Sequence, residues 1–580
     1  MKTVNKKSRL SIFLIATLLV ALFSTSMSAA AKGNESNGPE RGNHSGGSQQ
    51  TMQQYAEAMQ PGWNLGNTLD ATGEDETSWG NPRVTKELIH QIAAQGYKSI
   101  RIPITWQQRM GNAPAYKIDP AFMDRVEEVV DWSLDEGLYV MINMHHDSWL
   151  WVKTMGTDHD GVLARYNAGW TQIAERFKNH SNKLMFESIN EPRFNDGWGD
   201  ATTADFALLD ELNTSMHQIV RDSGANNAER PIVLPTYATS GTQAGLDELY
   251  KTITKLNDPN LIATIHYYGY WPFSVNVAGG TRFDDNAKND LTQTFDRAYN
   301  TLVAKGIPVV LGEFGLLGFD KNIGTIEQGE KLKYFEFLTS YLKEKKITQM
   351  LWDNGQHFNR TTYKWSDTEL FNILNMGLKG RSSTAASDLI YVKKDEAVQD
   401  TSVALNLNGN QLTGIESNGK KLNKGDDYTL DGDVLTFKAS FLSKVTDSGQ
   451  LGENAVLTAQ FNKGPDWRFH VLRYNTPVLY SYNGIASTFS IPTSFNGDRL
   501  ATMEAEYTTG GYAGPQSWTA FKEFGYAFTP SYDTNEIKLL PAFFNEVNDG
   551  QVNLKFHFWS GNVITYTITK SGTSITGIAS

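Results

Sequence analysis

The sequence predicts a multi-domain chain, a (β/α)8 TIM barrel followed by two all-β sandwich modules. Three observations lead to this fold class. A chain of 580 residues with 40% apolar content is too long for one core. From about 51 to 385, short apolar segments alternate with amphipathic helical patterns, which is typical of βα units. After that the segments alternate apolar and polar residues between turns such as Asn408-Gly and Asn418-Gly, which predicts β-hairpins.

The first 50 residues are expected to lie outside these domains. Four basic residues precede an apolar run at 10–23 and then Ser28-Ala-Ala-Ala31, which predicts a secretory signal peptide over 1–31 and a secreted, extracellular protein. Residues 32–50 are rich in Gly, Ser and Asn and predict a flexible leader. No later apolar run reaches the roughly 20 residues that a membrane-spanning helix needs, so no membrane partner is expected.

Charge and cysteine content narrow the possible partners. The net charge is −12, which disfavours nucleic acid and anionic membranes and suits a neutral substrate. There are no cysteines, so an exported fold must be stabilised by its cores and not by disulfides. We expect a monomer that needs no cofactor and binds no nucleic acid.

The barrel region contains eight apolar segments that predict strands, at 62–65, 98–104, 139–144, 184–189, 232–235, 261–265, 308–311 and 349–352. Helical patterns between them include 119–137, which opens with Asp-Pro and closes on Gly, and segments near 203–222 and 327–345. A doubly wound open sheet is the alternative. No Gly-rich phosphate motif follows the first strand, and polar residues occur after all the strands, which favours the barrel.

Two glutamates, Glu191 and Glu313, each end an apolar strand segment. They lie 122 positions apart (313 − 191), so only the tertiary fold can pair them. A barrel gathers its strand ends at one face, and this could bring the carboxyls to about 5–5.5 Å, the geometry of retaining glycoside hydrolysis. Such a mechanism needs one carboxyl that donates a proton and one that stays ionised.

Further polar and aromatic residues follow the predicted strands and could bind a sugar. Arg101 and Tyr268 could hold Glu313 as the nucleophilic carboxylate, and Glu191 beside Pro192 suits proton donation. Asn190 could bind a 2-hydroxyl and Trp352 could stack under a pyranose ring. The other candidates are His145, His146, Tyr237 and His266. Less specific roles remain open, since Arg101 could be a structural cation, Trp352 a core residue, and His145-His146-Asp147 metal ligands.

Seven motifs in order carry a resemblance to a known family. They are Gly62-Trp-Asn-Leu-Gly-Asn-Thr-Leu-Asp70, Ile100-Arg-Ile-Pro103, Asn143-Met-His-His-Asp147, Phe186-Glu-Ser-Ile-Asn-Glu-Pro192, Ile265-His-Tyr-Tyr268, Leu311-Gly-Glu-Phe-Gly315 and Trp352-Asp-Asn-Gly355. Together they resemble glycoside hydrolase family five, most closely its bacterial endoglucanase and xyloglucanase branch. The resemblance implies a retaining endo-β-1,4-glucanase with Glu191 as acid/base and Glu313 as nucleophile. It also implies a site completed by Arg101, His145, Asn190, His266, Tyr268 and Trp352.

The remainder resembles an Ig-like module, placed at 386–475, and a family forty-six carbohydrate-binding module at 476–580. We interpret the first as a spacer. In the second, Trp518 and Trp559 are candidate stacking platforms for glucose rings. No long linker separates the parts, so a fairly rigid assembly is expected, in which the last module could lean over the cleft.

The sequence therefore predicts a secreted, retaining endoglucanase acting on cellulose-type, mixed-linkage or xyloglucan backbones. Three alternatives stay open. One is a mannanase or xylanase with the same chemistry, and another is a non-catalytic polysaccharide-binding surface protein. The third is a metal hydrolase that uses His145, His146 and His266.

Overall fold

The computed structural model describes residues 50–197 and 199–580. The predicted signal peptide and, apart from Gln50, the predicted leader lie outside the described residues. Within them, no helix combines the length and the apolar character that crossing a bilayer requires.

The first domain is a closed barrel of parallel strands. Each strand pairs with the next along the chain, and the first pairs with the eighth, which closes the sheet within the described residues. The predicted barrel is confirmed and the open doubly wound sheet is excluded. The strands are β1 Gly62–Asn64, β2 Ser99–Ile102, β3 Tyr139–Asn143, β4 Leu184–Glu187, β5 Ile232–Pro235, β6 Leu261–Tyr267, β7 Val309–Phe314 and β8 Thr348–Leu351.

Helices surround the barrel, and the three predicted from periodicity are observed as α3, α6 and α11. Asp119 caps α3 through its side chain, which accepts a hydrogen bond from the Ala121 N–H, as the Asp-Pro start predicts. The helices are α1 Met52–Ala58, α2 Lys86–Ala94, α3 Pro120–Asp135, α4 Asp147–Leu150, α5 His159–Phe177, α6 Thr203–Asp222, α7 Gln243–Leu256, α8 Trp271–Ser274, α9 Asp285–Thr301, α10 Leu317–Lys321, α11 Gln328–Glu344 and α12 Thr368–Gly377.

A small apolar cluster fills the end of the barrel opposite the carboxyl ends of the strands. Its members from the strands are Met141, Met185, Val233, Ile262, Val310 and Met350, and α1 covers them with Tyr55 and the following Met59. Thr348 donates a hydrogen bond to the Ala56 carbonyl and so ties β8 to this helix. Because this end is filled and closed, the open end, where the carboxyl ends of the strands meet, is the one available for chemistry.

The second domain is a sandwich of two sheets. One contains β10, β17, β16, β12 and β13 in that order, and the other β14, β15, β11 and β9. Since β9 pairs with β11, Thr384 and Ala385 belong to this sandwich and not to the barrel. The elements are β9 Thr384–Ala385, β10 Leu389–Lys393, β11 Thr401–Asn406, β12 Leu412–Ser417, β13 Lys420–Lys421, β14 Tyr428–Asp431, β15 Val434–Phe437, α13 Ala439–Val445, β16 Gly452–Phe461 and β17 Trp467–Tyr474.

The third domain is a second sandwich, with sheet orders β18-β20-β23-β22 and β19-β26-β25-β24-β21. Its buried side chains form a cluster of their own, whereas those of the barrel and the first sandwich form one continuous cluster. The elements are β18 Val478–Leu479, β19 Tyr482–Ile485, β20 Ser490–Ser494, β21 Leu500–Tyr507, β22 Phe528–Ser531, β23 Glu536–Leu539, α14 Pro541–Asn545, β24 Gly550–Phe558, β25 Val563–Ser571 and β26 Ser574–Ala579.

Candidate active site

The strand register brings polar residues of neighbouring strands side by side at the open end of the barrel. Asn64 on β1 pairs with Arg101 on β2. Asn143 on β3 pairs with Glu187 on β4. These side chains interrupt otherwise apolar strands at the same level, so they form a polar layer above the apolar interior.

A β-bulge at Gly312 sets the direction of the Glu313 side chain. Ile265 pairs with Leu311, but the next residue, His266, already pairs with Glu313, so Gly312 is the extra residue. A Cβ at Gly312 would lie 2.7 Å from Thr264 Oγ1 and 3.1 Å from His266 Nε2. Glycine is therefore required at this point for β6 and β7 to approach, and the bulge places Glu313 beside His266.

Arg101 is completely buried and is the centre of the polar layer. Its Nη1 donates to Glu313 Oε1 at 2.7 Å and to Asn64 Oδ1 at 3.0 Å. Its Nε donates to Glu187 Oε2 and its Nη2 to Asn190 Oδ1, both at 2.8 Å. Burial alone would lower the pKa of Arg101, but the charges of Glu187 and Glu313 outweigh burial and raise it. Arg101 is thus a permanent cation whose hydrogen bonds fix side chains at the ends of β1, β4 and β7. It therefore orders the site as well as balancing its charge.

Glu313 is held as a carboxylate. Tyr268 Oη donates to its Oε2 at 2.6 Å, on the side opposite Arg101. Burial opposes ionisation, yet the pKa of Glu313 is lowered because His266, Arg101 and the Tyr268 hydroxyl together favour the charge. Burial and the charge of Glu313 raise the pKa of Tyr268 well above its usual value, so the phenol stays a hydrogen-bond donor.

Glu191 faces Glu313 across the cleft and is the more open of the two. Its side chain is 28% exposed against 5% for Glu313. A carboxylate oxygen of each, together with a nitrogen of His266, lies within 4.8 Å of the others. His266 Nδ1 is 3.0 Å from Glu191 Oε1 and 3.5 Å from Glu313 Oε2. This spacing fits a retaining pair, at about 5–5.5 Å, and is too short for an inverting pair at about 6.5–9.5 Å.

The backbone at Glu191 adopts an unusual conformation that aims the side chain. Its φ is 41°, in the left-handed region that only glycine enters freely. The Glu191 N–H donates to Thr239 Oγ1 at 3.0 Å, and the Ala238 N–H donates to the Pro192 carbonyl at 2.8 Å. The turn after β5 therefore supports a strained backbone at a reactive residue, a combination that is common at active sites.

His145 and Trp352 form a stacked pair beside Glu313. Their ring centroids are 5.9 Å apart and the planes differ by 3°. Asn143 Nδ2 lies 3.1 Å from His145 Nδ1, and Asn143 Oδ1 accepts from the Ile104 N–H, which fixes the amide so that it donates to the ring. His145 then carries its hydrogen on Nε2, 3.9 Å from Glu313 Oε1. Burial, followed by the proximity of His146 and Arg101, lowers the pKa of His145 well below its usual value, so the ring is neutral.

His146 continues this row of rings toward the surface. Trp149 Nε1 donates to His146 Nδ1 at 2.8 Å, so the Nε2 atom, 3.4 Å from Asp70 Oδ2, carries a hydrogen. Asp70, His145 and His146 offer three ligand atoms within 4.8 Å of one another. Both rings, however, use the Nδ1 lone pair to accept a hydrogen bond and place N–H groups inward, which does not suit metal coordination.

Comparison with known proteins agrees with this geometry. Residues 65–358 match the family model described as Cellulase (glycosyl hydrolase family 5). The chain belongs to glycosyl hydrolase family 5. Residues 384–471 match a model described as Carbohydrate binding domain X2, and residues 475–578 match CBM46, a Carbohydrate binding domain. The resemblance stated from the motifs is confirmed, as is the prediction of a glycoside hydrolase of the endoglucanase type.

Relatives of this family 5 chain match it over most of its length. Endoglucanase B of Paenibacillus lautus is 63% identical over 530 residues, covering 91% of this chain and 94% of the relative. The solved tri-modular endo-β-1,4-glucanase B of Bacillus halodurans has a TM-score of 0.90 and 59% identity, covering 91% of this chain and 99% of that one. A tri-modular subfamily 4 endo-β-1,4-glucanase of Bacillus licheniformis, complexed with cellotetraose, has a TM-score of 0.78 and 32% identity, with 91% and 99% covered.

The family 5 barrel does not place Tyr237 among the cleft residues predicted from the sequence. Tyr237 is buried, with its ring 6.2 Å from each of the rings of Phe194 and Phe206, inside the main apolar cluster. Its role as a substrate-binding residue therefore stays a prediction. In the turn that follows β5, Ala238 and Thr239 both have positive φ, and Thr239, not Tyr237, reaches Glu191.

Three residues near the site were missed by sequence reasoning. Glu187 and Asn143 lie in the quoted motifs, but inside apolar strand segments where only the barrel register reveals that they point inward. Trp79 lies in a loop without periodic pattern, 39% exposed and with its ring 5.0 Å from that of His146. No sequence signal distinguished this Trp from the others.

The two candidate platforms of the last module differ in their surroundings. Trp518 is 36% exposed at the tip of a turn. Trp559 is half-buried, and the guanidinium of Arg282 from the barrel lies over its ring at 4.9 Å. One face of Trp559 is thus covered by Arg282, and its role as a stacking platform stays a prediction that concerns the other face.

Proposed function

We propose that this protein is a secreted, retaining endo-β-1,4-glucanase that cleaves internal bonds of plant cell-wall glucans. One observation carries the proposal. Glu313 is held ionised by Arg101 and Tyr268, with a carboxylate oxygen within 4.8 Å of one from the more open Glu191. Two carboxyls at this separation, one fixed as the anion and one able to exchange protons with solvent, have the properties that double displacement requires.

In the first step a carboxylate oxygen of Glu313 attacks the anomeric carbon and forms a glycosyl ester. The bond from that carbon to the leaving oxygen breaks, and Glu191 transfers its proton to the leaving oxygen. Negative charge on Glu313 disappears as the ester forms. The Tyr268 hydroxyl and the Arg101 guanidinium hold the carboxylate in one orientation, so little reorganisation is needed during attack.

In the second step water replaces the aglycone. Glu191, now a carboxylate, accepts a proton from the water while its oxygen attacks the anomeric carbon and the bond to Glu313 breaks. His266, with Nδ1 3.0 Å from Glu191 Oε1 and 3.5 Å from Glu313 Oε2, orients both carboxyls in both steps. Two inversions at one carbon give net retention of configuration.

The hydrogen bonds that the protein makes within itself determine which polar groups remain available to bind a sugar. Asn190 Oδ1 accepts a hydrogen bond from Arg101, so the Asn190 amide hydrogens are the group that would donate to a 2-hydroxyl. His145 offers its Nε2–H, and Trp352 offers a ring supported from behind by Gly66, where a Cβ would come within 2.8 Å of the indole. A neutral, aromatic-lined site of this kind suits an uncharged glucan.

We assign residues 51–383 to catalysis, 384–475 to a spacer and 476–580 to a module that adds glucan binding through Trp518. The exposed indole of Trp518 supports the last assignment. A monomer suffices, since both catalytic glutamates come from one barrel. The substrate range we propose covers cellulose-type, mixed-linkage and xyloglucan chains, with mannan and xylan as the alternative.

The decisive experiment combines a hydrolysis panel with product stereochemistry. Xyloglucan, mixed-linkage glucan, carboxymethylcellulose, mannan and xylan are incubated with the wild type, Glu313→Gln and Glu191→Gln. The matched control is Glu330→Gln, another buried glutamate, on α11. We expect cleavage of the glucans with β-anomers formed first, and loss of activity only in Glu313→Gln and Glu191→Gln. Glucan binding without cleavage, or α-anomers as first products, would overturn the proposal, and cleavage of mannan or xylan alone would move it to the alternative.

A further inference from the structure

We infer that Lys522 is a positioning residue that holds Trp518 in the orientation needed to stack on a glucan. The inference rests on the proposed function of Trp518. It concerns residues 515–519, called the Trp518 turn below, and the ammonium group beneath it.

The Lys522 side chain lies under the Trp518 turn and is completely buried, at 0% exposure. Its Nζ donates to the backbone carbonyls of Pro515 at 3.0 Å, Gln516 at 3.3 Å and Thr519 at 2.8 Å. Three N–H donors thus meet three carbonyls of one turn. In the described part of the chain, no carboxylate oxygen lies within 4.0 Å of this Nζ, so the turn itself is the partner of the charge.

A buried ammonium without a carboxylate is costly, so its presence needs a structural reason. The Trp518 turn has little regular structure to hold it, and Gln516 has a φ of 54° in the left-handed region. Within the turn, the Thr519 N–H donates to the Gln516 carbonyl at 3.1 Å. The Gln516 amide donates to Glu523 Oε2 at 3.0 Å. Lys522 supplies the remaining bonds. Without it the Pro515 and Thr519 carbonyls would lose their donor, and the Gln516 carbonyl would keep only the Thr519 N–H.

The residues on either side of Lys522 fix the turn relative to the barrel. The Phe521 ring lies 3.6 Å from the position of a Cβ on Gly279, and the Phe524 N–H donates to the Asn276 carbonyl at 3.1 Å. Gly279 and Asn276 belong to the loop that leaves β6, and that loop begins at Tyr268, which binds Glu313. The turn, Lys522 and the cleft wall are therefore one connected set of contacts.

The ammonium also makes this arrangement sensitive to pH. Burial lowers the pKa of Lys522 to about 8, partly opposed by the charge of Glu546. The adjacent Glu523, whose own pKa is raised by burial, is bound by Gln516 and not by Lys522. A neutral amine has two N–H groups and cannot serve three carbonyls. The Trp518 turn should therefore loosen as the pH rises through about 8, while the catalytic layer around Arg101 keeps its charges.

The first readout is the environment of Trp518 itself. The full chain is labelled with 5-fluorotryptophan, and the Trp518 fluorine resonance is assigned by its loss in Trp518→Phe. In the wild type we expect this resonance to shift with a midpoint near pH 8. In Lys522→Gln, which donates without titrating, the resonance should not shift over that range, and in Lys522→Met it should be displaced at every pH. The control is Lys538→Gln, a half-exposed lysine of the same module, which should behave as wild type.

The second readout is affinity, measured with xyloglucan oligosaccharides on full chains that carry Glu313→Gln to prevent hydrolysis. We expect the wild-type Kd to weaken about three- to tenfold between pH 6.5 and 9.5, the range expected when one aromatic stack is lost. Lys522→Met should show the weaker Kd at both pH values. A Trp518 resonance that is the same in the wild type and the Lys522 variants overturns the inference. So does an affinity that is weakened in Trp518→Ala but unchanged in Lys522→Met. Unchanged affinity in Trp518→Ala instead overturns the proposed role of Trp518 and leaves the fluorine data to decide whether Lys522 holds the turn.

Discussion

Arg101 and Glu313 form a buried ion pair, with 2.7 Å between Nη1 and Oε1, and Arg101 simultaneously holds Glu187 at 2.8 Å. One cation therefore neutralises two buried carboxylates. Since two carboxylates share this one positive charge, Arg101 alone does not fully balance the charge of Glu313. The Tyr268 hydroxyl, which donates to the other carboxylate oxygen, therefore adds to the stabilisation of the Glu313 anion.

Tyr268→Phe should raise the pKa of Glu313 and slow glycosylation. The phenylalanine keeps the ring but removes a 2.6 Å hydrogen bond to a carboxylate, a contact worth about 1.5–3 kcal/mol. We expect kcat/KM to fall roughly 10- to 100-fold and the acid limb of its pH profile to move to higher pH. Tyr267→Phe is the matched control, because the Tyr267 hydroxyl binds Asp290 instead. An acid limb that stays in place would show that Tyr268 does not stabilise the anion.

Glu313→Gln should change the pH dependence of stability as well as activity. The pKa of Glu313 is lowered in the folded state, so the carboxylate stabilises the fold above the unfolded value of about 4.3. That contribution is lost as the pH falls through the folded pKa. The Tm difference between wild type and Glu313→Gln should thus be constant at pH 5–7 and shrink below about pH 4.3.

Glu330→Gln should show the opposite pH dependence of stability, and it therefore checks the prediction for Glu313→Gln. Burial raises the pKa of Glu330, partly offset by Lys333, so the folded state holds its proton where the unfolded state has lost it. Stability of the wild type relative to Glu330→Gln should therefore fall as the pH rises above about 4.3. Parallel pH curves for the two variants would contradict both assignments.

The sequence predicted the barrel well because its strands are short apolar segments whose polar residues come at their ends. The strand 232–235 and the helix near 203–222 match the structure at both ends. Glu191 and Glu313 could be chosen because each ends such a segment. The sequence could not show which residues within a strand face the interior of the barrel. Glu187 and Arg101 lie inside their strands, and only the sheet register turns them toward one another.

Local backbone geometry and one contact between domains explain the remaining differences between prediction and structure. The strand containing Glu191 was expected to continue to about that residue, but β4 ends at Glu187 and the chain reaches Glu191 with positive φ. The same kind of turn directs Tyr237 into the core. Arg282 could not be matched to Trp559 because the contact crosses from one domain to another. Each depends on packing that no local pattern encodes.

Trp79→Ala should weaken binding of long glucans without slowing the chemical step. Trp79 begins a row of rings in which successive centroids are 5.0, 4.5 and 5.9 Å apart, through His146 and His145 to Trp352. Because it touches neither glutamate, it should add equal affinity to ground and transition states. We expect KM for a long glucan to rise about three- to tenfold with kcat unchanged, and little effect on the shortest substrate cleaved. Tyr480→Ala, another exposed aromatic, is the control. A change in kcat alone would place Trp79 in the reaction instead.

Asn276→Ala should loosen the last module from the barrel. The buried Asn276 amide donates to the Thr325 carbonyl at 3.2 Å and to the Ala501 carbonyl at 2.9 Å, so one side chain joins a barrel loop to the module. Its φ of 50° is one that Asn adopts at a lower energetic cost than Ala. Two lost hydrogen bonds contribute about 2 kcal/mol, and the alanine backbone adds about 1 kcal/mol.

The measurement is differential scanning calorimetry of Asn276→Ala and Asn276→Gly on the full chain. Glycine removes the side chain but keeps the left-handed backbone free of strain, so the difference between the two variants isolates the strain. We expect the unfolding of the module to separate from that of the barrel and move to lower temperature in both, further in Asn276→Ala. Asn418→Gly, at an exposed hairpin with the same φ of 50°, should leave the thermogram unchanged. If the Asn276 variants also unfold as the wild type does, the module is held by its apolar contacts, chiefly Phe521 against the loop at Gly279, and not by this amide.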